Sequence, residues 1–212
     1  MPATASQLYL LTHTFDELIN SFIENQIGIA VDFLPTALAK HLKENLLQLH
    51  ANKELFQAGT GNNKAVVHNK LMRSDIIYWL DKKHENAYEN EFFLLMDAFV
   101  KELNSSCYTG ITDYEFHYTL YETGSFYKKH VDQFRNNNSR KYSIILYLNE
   151  NWQPEDGGEL CIYHANNVQK ISPENGKIVF FKSNEMEHEV LPTHKPRMSI
   201  TGWLKVNDTP SY

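Results

Sequence analysis

The sequence predicts an α+β fold with a mainly β core, a double-sheet jelly roll with N-terminal helices packed on one of its sheets. Apolar residues recur at helical spacing as far as about residue 104, and from about 114 they give way to short β-rich runs separated by turn residues. No low-complexity linker divides the two halves. The 212 residues are therefore expected to form one domain, mainly helical support over 1–105 with a finger loop near 57–79, then a jelly-roll core over 106–205.

Thr14 followed by Glu17 has capping-box spacing, and Phe15, Leu18, Ile19, Phe22, Ile23 and Ile27 continue an apolar stripe until Gly28, which predicts the first helix. Pro35 and Thr36 open a second, with Leu38, Leu42, Leu46 and Leu49 on one face. A third over 87–104 carries Phe92, Phe93, Leu95, Met96, Phe99, Val100 and Leu103. Between the second and third, the glycine-rich polar run 58–64 interrupts the pattern, while Ala65-Val66-Val67 and Ile76-Ile77-Tyr78-Trp79 read as extended. Eight candidate strands follow at 114–121, 126–131, 141–148, 158–163, 167–171, 177–182, 187–191 and 197–205, the number expected of a double-sheet jelly roll. Turn residues at 155–158, 173–176 and 192–196 separate them, and sequential hairpins are the expected strand order.

The formal charge of -6 argues against a nucleic-acid partner, because affinity for phosphate backbones rests on clustered Lys and Arg. Cys107 and Cys161 are too few for a disulfide framework or a zinc site and are expected to be reduced thiols. No basic stretch precedes an apolar run at the N-terminus, and nowhere do about 18 apolar residues follow one another. A soluble cytoplasmic protein without a membrane partner is expected.

The residues that carry chemistry are His130 and Asp132, one residue apart, then His188 and Arg197 far downstream. Two imidazoles and one carboxylate form the facial triad of non-heme Fe(II) oxygenases, which leaves the opposite face of the metal open for a bidentate co-substrate and dioxygen. Alternation along a strand would turn His130 and Asp132 to one face and Val131 to the other. A hairpin around 192–196 would bring Arg197 to within one or two residue pairs of His188, so that a short dicarboxylate could bridge them. The guanidinium suits the far carboxylate because its planar fork donates two parallel hydrogen bonds. Ser199, Thr201 and Trp203 share the face of Arg197, and Tyr147 is a candidate to join it on the same carboxylate. His117, His164 and His194 lack partners at ligand spacing and are expected to be structural or exposed.

His130-Val131-Asp132, Tyr147-Leu148-Asn149 with Trp152, Asp156-Gly157-Gly158-Glu159-Leu160, Val179-Phe180-Phe181, His188-Glu189-Val190 and Arg197 through Trp203 together resemble the prolyl 4-hydroxylase branch of the 2-oxoglutarate and Fe(II)-dependent oxygenases. More narrowly, with Arg73-Ser74-Asp75-Ile76-Ile77-Tyr78-Trp79, they resemble the hypoxia-inducible factor prolyl hydroxylases and their bacterial relatives. The resemblance spans roughly residues 70–205. It implies a double-stranded β-helix, Fe(II) on His130, Asp132 and His188, and 2-oxoglutarate on Arg197 and Tyr147. It also implies Thr201, Tyr121 and Trp203 in the co-substrate pocket, and Arg73, Asp75 and Arg140 on the substrate side. Ascorbate is a candidate reductant, and dioxygen is the second co-substrate. The implied reaction is hydroxylation of a prolyl residue in a protein, and closeness to the bacterial relatives makes elongation factor Tu the leading candidate target. The loop before Arg73 departs from the animal enzymes.

Asp132 disfavours the related halogenases, in which a small apolar residue replaces that carboxylate. Lys205 is the only basic residue after Arg197, which disfavours repair of alkylated nucleic acid. The remaining alternatives are hydroxylation of free proline or another small molecule, and a non-catalytic peptide-binding jelly roll. The latter would be expected to lack part of the triad. A cupin-type metalloenzyme would need a denser cluster of ligands than the sequence contains.

Overall fold

The computed structural model describes residues 5–59, 69–133, 138–164 and 167–206. Among the described residues, three α-helices, α1 (Ala5–Asn25), α2 (Thr36–Ala51) and α3 (Ala87–Cys107), accompany eleven strands. The strands are β1 (Ile27–Ala30), β2 (Phe56–Gln57), β3 (Ile76–Trp79), β4 (Asp113–Tyr121), β5 (Tyr127–His130), β6 (Arg140–Tyr147), β7 (Leu160–His164), β8 (Asn167–Ile171), β9 (Ile178–Lys182), β10 (Glu187–Val190) and β11 (Arg197–Lys205). They form two antiparallel sheets, one of seven strands ordered β1-β9-β6-β11-β4-β3-β2 and one of four ordered β5-β10-β7-β8. None of the described helices is long and apolar enough to cross a membrane.

Strand alternation divides the apolar residues between two cores. Phe116, Tyr118 and Leu120 of β4, Ile144 and Leu146 of β6, Ile178 and Phe180 of β9 and Ile200 and Leu204 of β11 pack under the helices, against residues such as Leu42, Phe92 and Phe99. The residues between them, Tyr121, Ile145, Tyr147, Val179 and Phe181, face the four-stranded sheet and meet Leu160, Ile162 and Val190. The seven-stranded sheet thus has one greasy face under the helices and an inner face on which polar side chains survive. Gly202 is required by that packing, because a Cβ there would stand 2.1 Å from Phe116 Cδ1 and 2.3 Å from the Glu115 carbonyl oxygen.

Three sequence expectations change. The first helix begins at Ala5 rather than near Thr14, which lies buried inside it. A Thr-to-Glu spacing also occurs within helices, and Leu8 and Leu11 carry the apolar stripe upstream in the sequence. Ile27 and Gly28 belong to β1, not to the helix: Gln26 adopts a φ of 63°, ends α1 and starts a strand that pairs with β9. Gly28 serves close packing there, since an added Cβ would meet the Leu18 carbonyl at 2.8 Å. Finally, the eight core strands, β4 to β11, are not sequential hairpins. Successive strands mostly cross between the sheets, so β10 and β11 lie in different sheets and form no hairpin around 192–196. The run Ala65-Val66-Val67 lies outside the described residues.

Candidate metal and oxoacid site

The site lies at the inner face of the roll, in a cavity of about 350 Å³ between the sheets. His130 ends β5 and is the direct cross-strand partner of His188 on β10, with ring centroids 4.3 Å apart. Asp132 follows two residues after His130, but β5 has already stopped, so the carboxylate comes from a bend rather than from the next same-face position of a strand. Val131, expected on the opposite layer, lines the same cavity. Asp132 Oδ1 lies 3.5 Å from His130 Nε2, and Oδ2 lies 3.6 Å from His188 Nε2. One ligand atom from each of the three residues falls within 4.8 Å of the others.

Each imidazole is oriented from behind by a backbone carbonyl. His130 Nδ1 lies 2.7 Å from the Lys128 oxygen and His188 Nδ1 lies 2.9 Å from the Met186 oxygen. A carbonyl only accepts, so both Nδ1 atoms carry a proton and both Nε2 atoms are turned toward Asp132. Burial, reinforced by His130 and opposed by the Asp132 charge, pushes His188 down to about 4, so it is deprotonated at neutral pH. Burial alone would raise the Asp132 carboxyl, but His188, His130 and the Ser143 hydroxyl together outweigh it and hold the group well below the usual carboxylate range. The cluster therefore brings together two imidazole Nε2 atoms and one carboxylate, the ligand types that suit a divalent iron with open positions. Tyr127 stacks on His130 with centroids 3.5 Å apart.

Arg197, at the start of β11, is 1% exposed. Its Nε donates to the Gly158 carbonyl at 2.8 Å, which fixes the guanidinium between the rings of Tyr121 and Tyr147, 4.9 and 5.0 Å from their centroids. Gly158 itself sits at a φ of 66°, where an L side chain is strained, and an added Cβ would crowd Thr193 Oγ1 at 3.0 Å and the Arg197 Cδ at 3.1 Å. Arg197 Nη2 and Tyr147 Oη are buried without a hydrogen-bond partner. Two buried, orphaned donors beside the cavity are what an incoming carboxylate would satisfy, since leaving them unpaired costs about 1–3 kcal/mol each. The residues present thus fit both Fe(II) and a dicarboxylate. Arg197 reaches the cavity from the opposite sheet to His188, and the seven-stranded sheet's inner face, not a hairpin, brings it there.

The other anticipated residues fall in three groups. Tyr121, Thr201 and Trp203 line the cavity, and Tyr147 stands behind the lining, beside Arg197. Arg140 also lines it, its guanidinium 3.5 Å above the Trp203 ring and bound to Glu115 through Nε at 3.0 Å and Nη2 at 2.7 Å. Arg73 lines it too, over the Tyr127 ring, whereas Asp75 is fully buried behind it, accepts from Arg73 Nε at 2.7 Å and so anchors Arg73 without itself lining the cavity. Three contributors were not foreseen. His117, expected to be structural or exposed, is buried and lines the cavity, and burial with the Arg73 charge pushes it down to about 4. Its parity with Thr119 and Tyr121 on one strand was the available signal. Ser143 on β6 bonds Asp132, and Ser183, just past the end of β9, stands behind it and bonds Ser143; both are fully buried.

The chain is similar to known proteins. Residues 116–205 match the 2OG-Fe(II) oxygenase superfamily. The chain is similar to the crystal structure of a Pseudomonas putida prolyl-4-hydroxylase, at 31% identity and a TM-score of 0.82 over 91% of this chain and 99% of that one. A prolyl hydroxylase from Trichoplax adhaerens, in complex with a hypoxia inducible factor oxygen degradation domain peptide fragment, shares the fold at 24% identity and a TM-score of 0.86, over 96% of this chain and 94% of that one. The Mus musculus prolyl hydroxylase EGLN3 is 28% identical over 192 residues, 81% of this chain and 75% of that protein.

Proposed function

Since the chain belongs to the prolyl 4-hydroxylase branch of the 2-oxoglutarate and Fe(II)-dependent oxygenases, we propose that it hydroxylates a prolyl residue of a protein, with elongation factor Tu as the candidate target. The enzyme class, Fe(II) and 2-oxoglutarate follow from the family. The target rests on the resemblance of the motifs to the bacterial relatives. A protein substrate is further supported by the peptide complex of the Trichoplax adhaerens relative. The observation that carries the assignment of residues is the convergence of His130, Asp132 and His188 in a cavity whose inner wall buries an arginine with an unpaired nitrogen.

In this proposal His130 Nε2, His188 Nε2 and the Asp132 carboxylate hold Fe(II). Arg197 and Tyr147 donate to the far carboxylate of 2-oxoglutarate, and Tyr121 and Thr201 border it. Trp203 belongs to the same co-substrate wall, and Arg140 lies on the substrate side, with Arg73 held at its edge by Asp75. Bound iron and co-substrate supply the oxidation, in which dioxygen, 2-oxoglutarate and a prolyl C–H yield succinate, carbon dioxide and a hydroxyprolyl. The protein's share is positioning: the Lys128 and Met186 carbonyls fix the imidazoles, and the Gly158 carbonyl fixes the guanidinium.

The test is mass spectrometry of elongation factor Tu after incubation with the enzyme, Fe(II), 2-oxoglutarate and air, with ascorbate as reductant. One added oxygen atom on a single prolyl, absent with His130→Ala, is the expected result. Succinate formation without that addition would reject the target, and hydroxylation of free proline in its place would reject a protein substrate.

A further inference from the structure

Asp132 is the one member of the triad that no strand pairing holds. β5 ends at His130, and the carboxylate stands in the bend beyond it. What holds it are two serines from neighbouring strands. Ser143 Oγ lies 2.7 Å from Asp132 Oδ2, and Ser183 Oγ lies 2.9 Å from Ser143 Oγ. Both serines are fully buried. An ionised carboxylate only accepts, so the single Ser143 proton is committed to Asp132, and Ser143 must then accept the proton of Ser183. The direction of the chain is fixed: Ser183 donates to Ser143, which donates to Asp132. The backbone reinforces it, because Gln133 N donates to the Ser183 carbonyl at 3.1 Å and ties the residue after Asp132 to the end of β9.

The geometry points to Ser143 and Ser183 as positioning residues for Asp132, an ordered hydroxyl relay that fixes the carboxylate's rotamer and sets the protein's affinity for its metal. The hydrogen bond to Oδ2 takes up part of that oxygen's acceptor capacity and stops the carboxylate turning about its Cβ–Cγ bond. It thereby favours a carboxylate that offers the metal one oxygen rather than two. That economy matters in a site that must keep positions free for a bidentate oxoacid and dioxygen. Hydroxyls are suited to the task here, since a charged partner in their place would compete with the metal for the carboxylate. Ser143 faces the cavity side by the same alternation that turns Ile145 and Tyr147 inward, and Ser183 follows Phe181 by two residues. This inference rests on the metal site proposed above.

The experiment titrates Co(II) into metal-free protein anaerobically, with affinity read by calorimetry and ligand geometry by the Co(II) d–d absorption, for the wild type, Asp132→Ala, Ser143→Ala, Ser183→Ala and the double serine variant. Ser143→Ala is expected to weaken Co(II) binding about 10- to 100-fold and to shift the absorption band, and Ser183→Ala to weaken it less. Because Ser183 acts only through Ser143, the double variant should be no weaker than Ser143→Ala alone. Additive losses, or wild-type affinity and spectrum in both single variants, would overturn the relay while leaving the metal centre intact. Absence of Co(II) uptake by the wild type, or uptake undiminished in Asp132→Ala, would instead overturn the metal centre and the relay with it. Should Ser143→Ala fail to fold, Ser183→Ala alone decides, since it leaves the Gln133-to-Ser183 backbone bond in place: weakened binding with a shifted band supports the relay, and unchanged binding rejects it.

Discussion

Replacing Arg197 by lysine keeps the positive charge and removes the fork. In the structure Arg197 Nε is spent on the Gly158 carbonyl, while Nη2 faces no partner, so the outer end of the guanidinium is the part left to bind. A lysine ammonium at this position loses the Gly158 bond and offers one point charge where two parallel donors stood. Hydrogen bonds to charged groups contribute about 1.5–3 kcal/mol, and a factor of ten in affinity corresponds to about 1.4 kcal/mol, so 2-oxoglutarate should bind about 10- to 150-fold more weakly. Calorimetry with anaerobic Fe(II)-loaded protein measures that loss directly. Fe(II) affinity without 2-oxoglutarate should stay within a few-fold, since Arg197 makes no contact with His130, Asp132 or His188. Unchanged 2-oxoglutarate binding in Arg197→Lys, with the metal in place, would refute the assignment of this guanidinium to the co-substrate.

Two further expectations concern stability. Arg73→Met should destabilise the fold by about 3–5 kcal/mol in urea unfolding, because it strands the fully buried Asp75 carboxylate, and a second change, Asp75→Asn, should recover much of that loss. Equal stability of the single and double variants would show that the pair is not coupled. For pH, His117 titrates in the unfolded chain near 6.5 but only near 4 in the fold. The unfolded state therefore binds more protons between these values, and stability attributable to His117 is present above pH 6.5 and lost as the pH falls to 4, by about 3 kcal/mol in all. The metal-free wild type should lose more stability over that window than His117→Gln, and parallel pH profiles would contradict the buried, uncharged state of His117.

The legible parts of the sequence were those governed by short-range rules. Period-two alternation gave the eight core strands and set Arg197, Thr201 and Trp203 on one inner face, where the structure has them lining one cavity. Turn chemistry found the Gly157-Gly158 corner without revealing that the Gly158 carbonyl orients Arg197, a contact between residues 39 apart. Strand order was illegible for the same reason: alternation states which face a residue takes and not which sheet its strand joins, so His188 and Arg197 were brought together by a hairpin that does not exist. The convergence of His130 with His188 is a cross-strand pairing between β5 and β10, and the sequence supplied it through motif resemblance, with no rule of its own for the register. Ser143 and Ser183 stayed hidden because a serine at an inward position reads as a small core residue until its neighbour is known. Asp75 shows the converse error, a charged residue in an extended segment near a finger that proves to be wholly buried.

The central claim is that His130, Asp132 and His188 hold the iron that couples 2-oxoglutarate to prolyl hydroxylation. It is tested most directly by Fe(II) stoichiometry measured beside 2-oxoglutarate turnover, in the wild type and in His188→Ala. One Fe(II) per chain with succinate formed in equal amount to hydroxyprolyl in the wild type, and loss of both in His188→Ala, is the expected result. Iron bound equally by the two proteins, or succinate formed undiminished by His188→Ala, would contradict it.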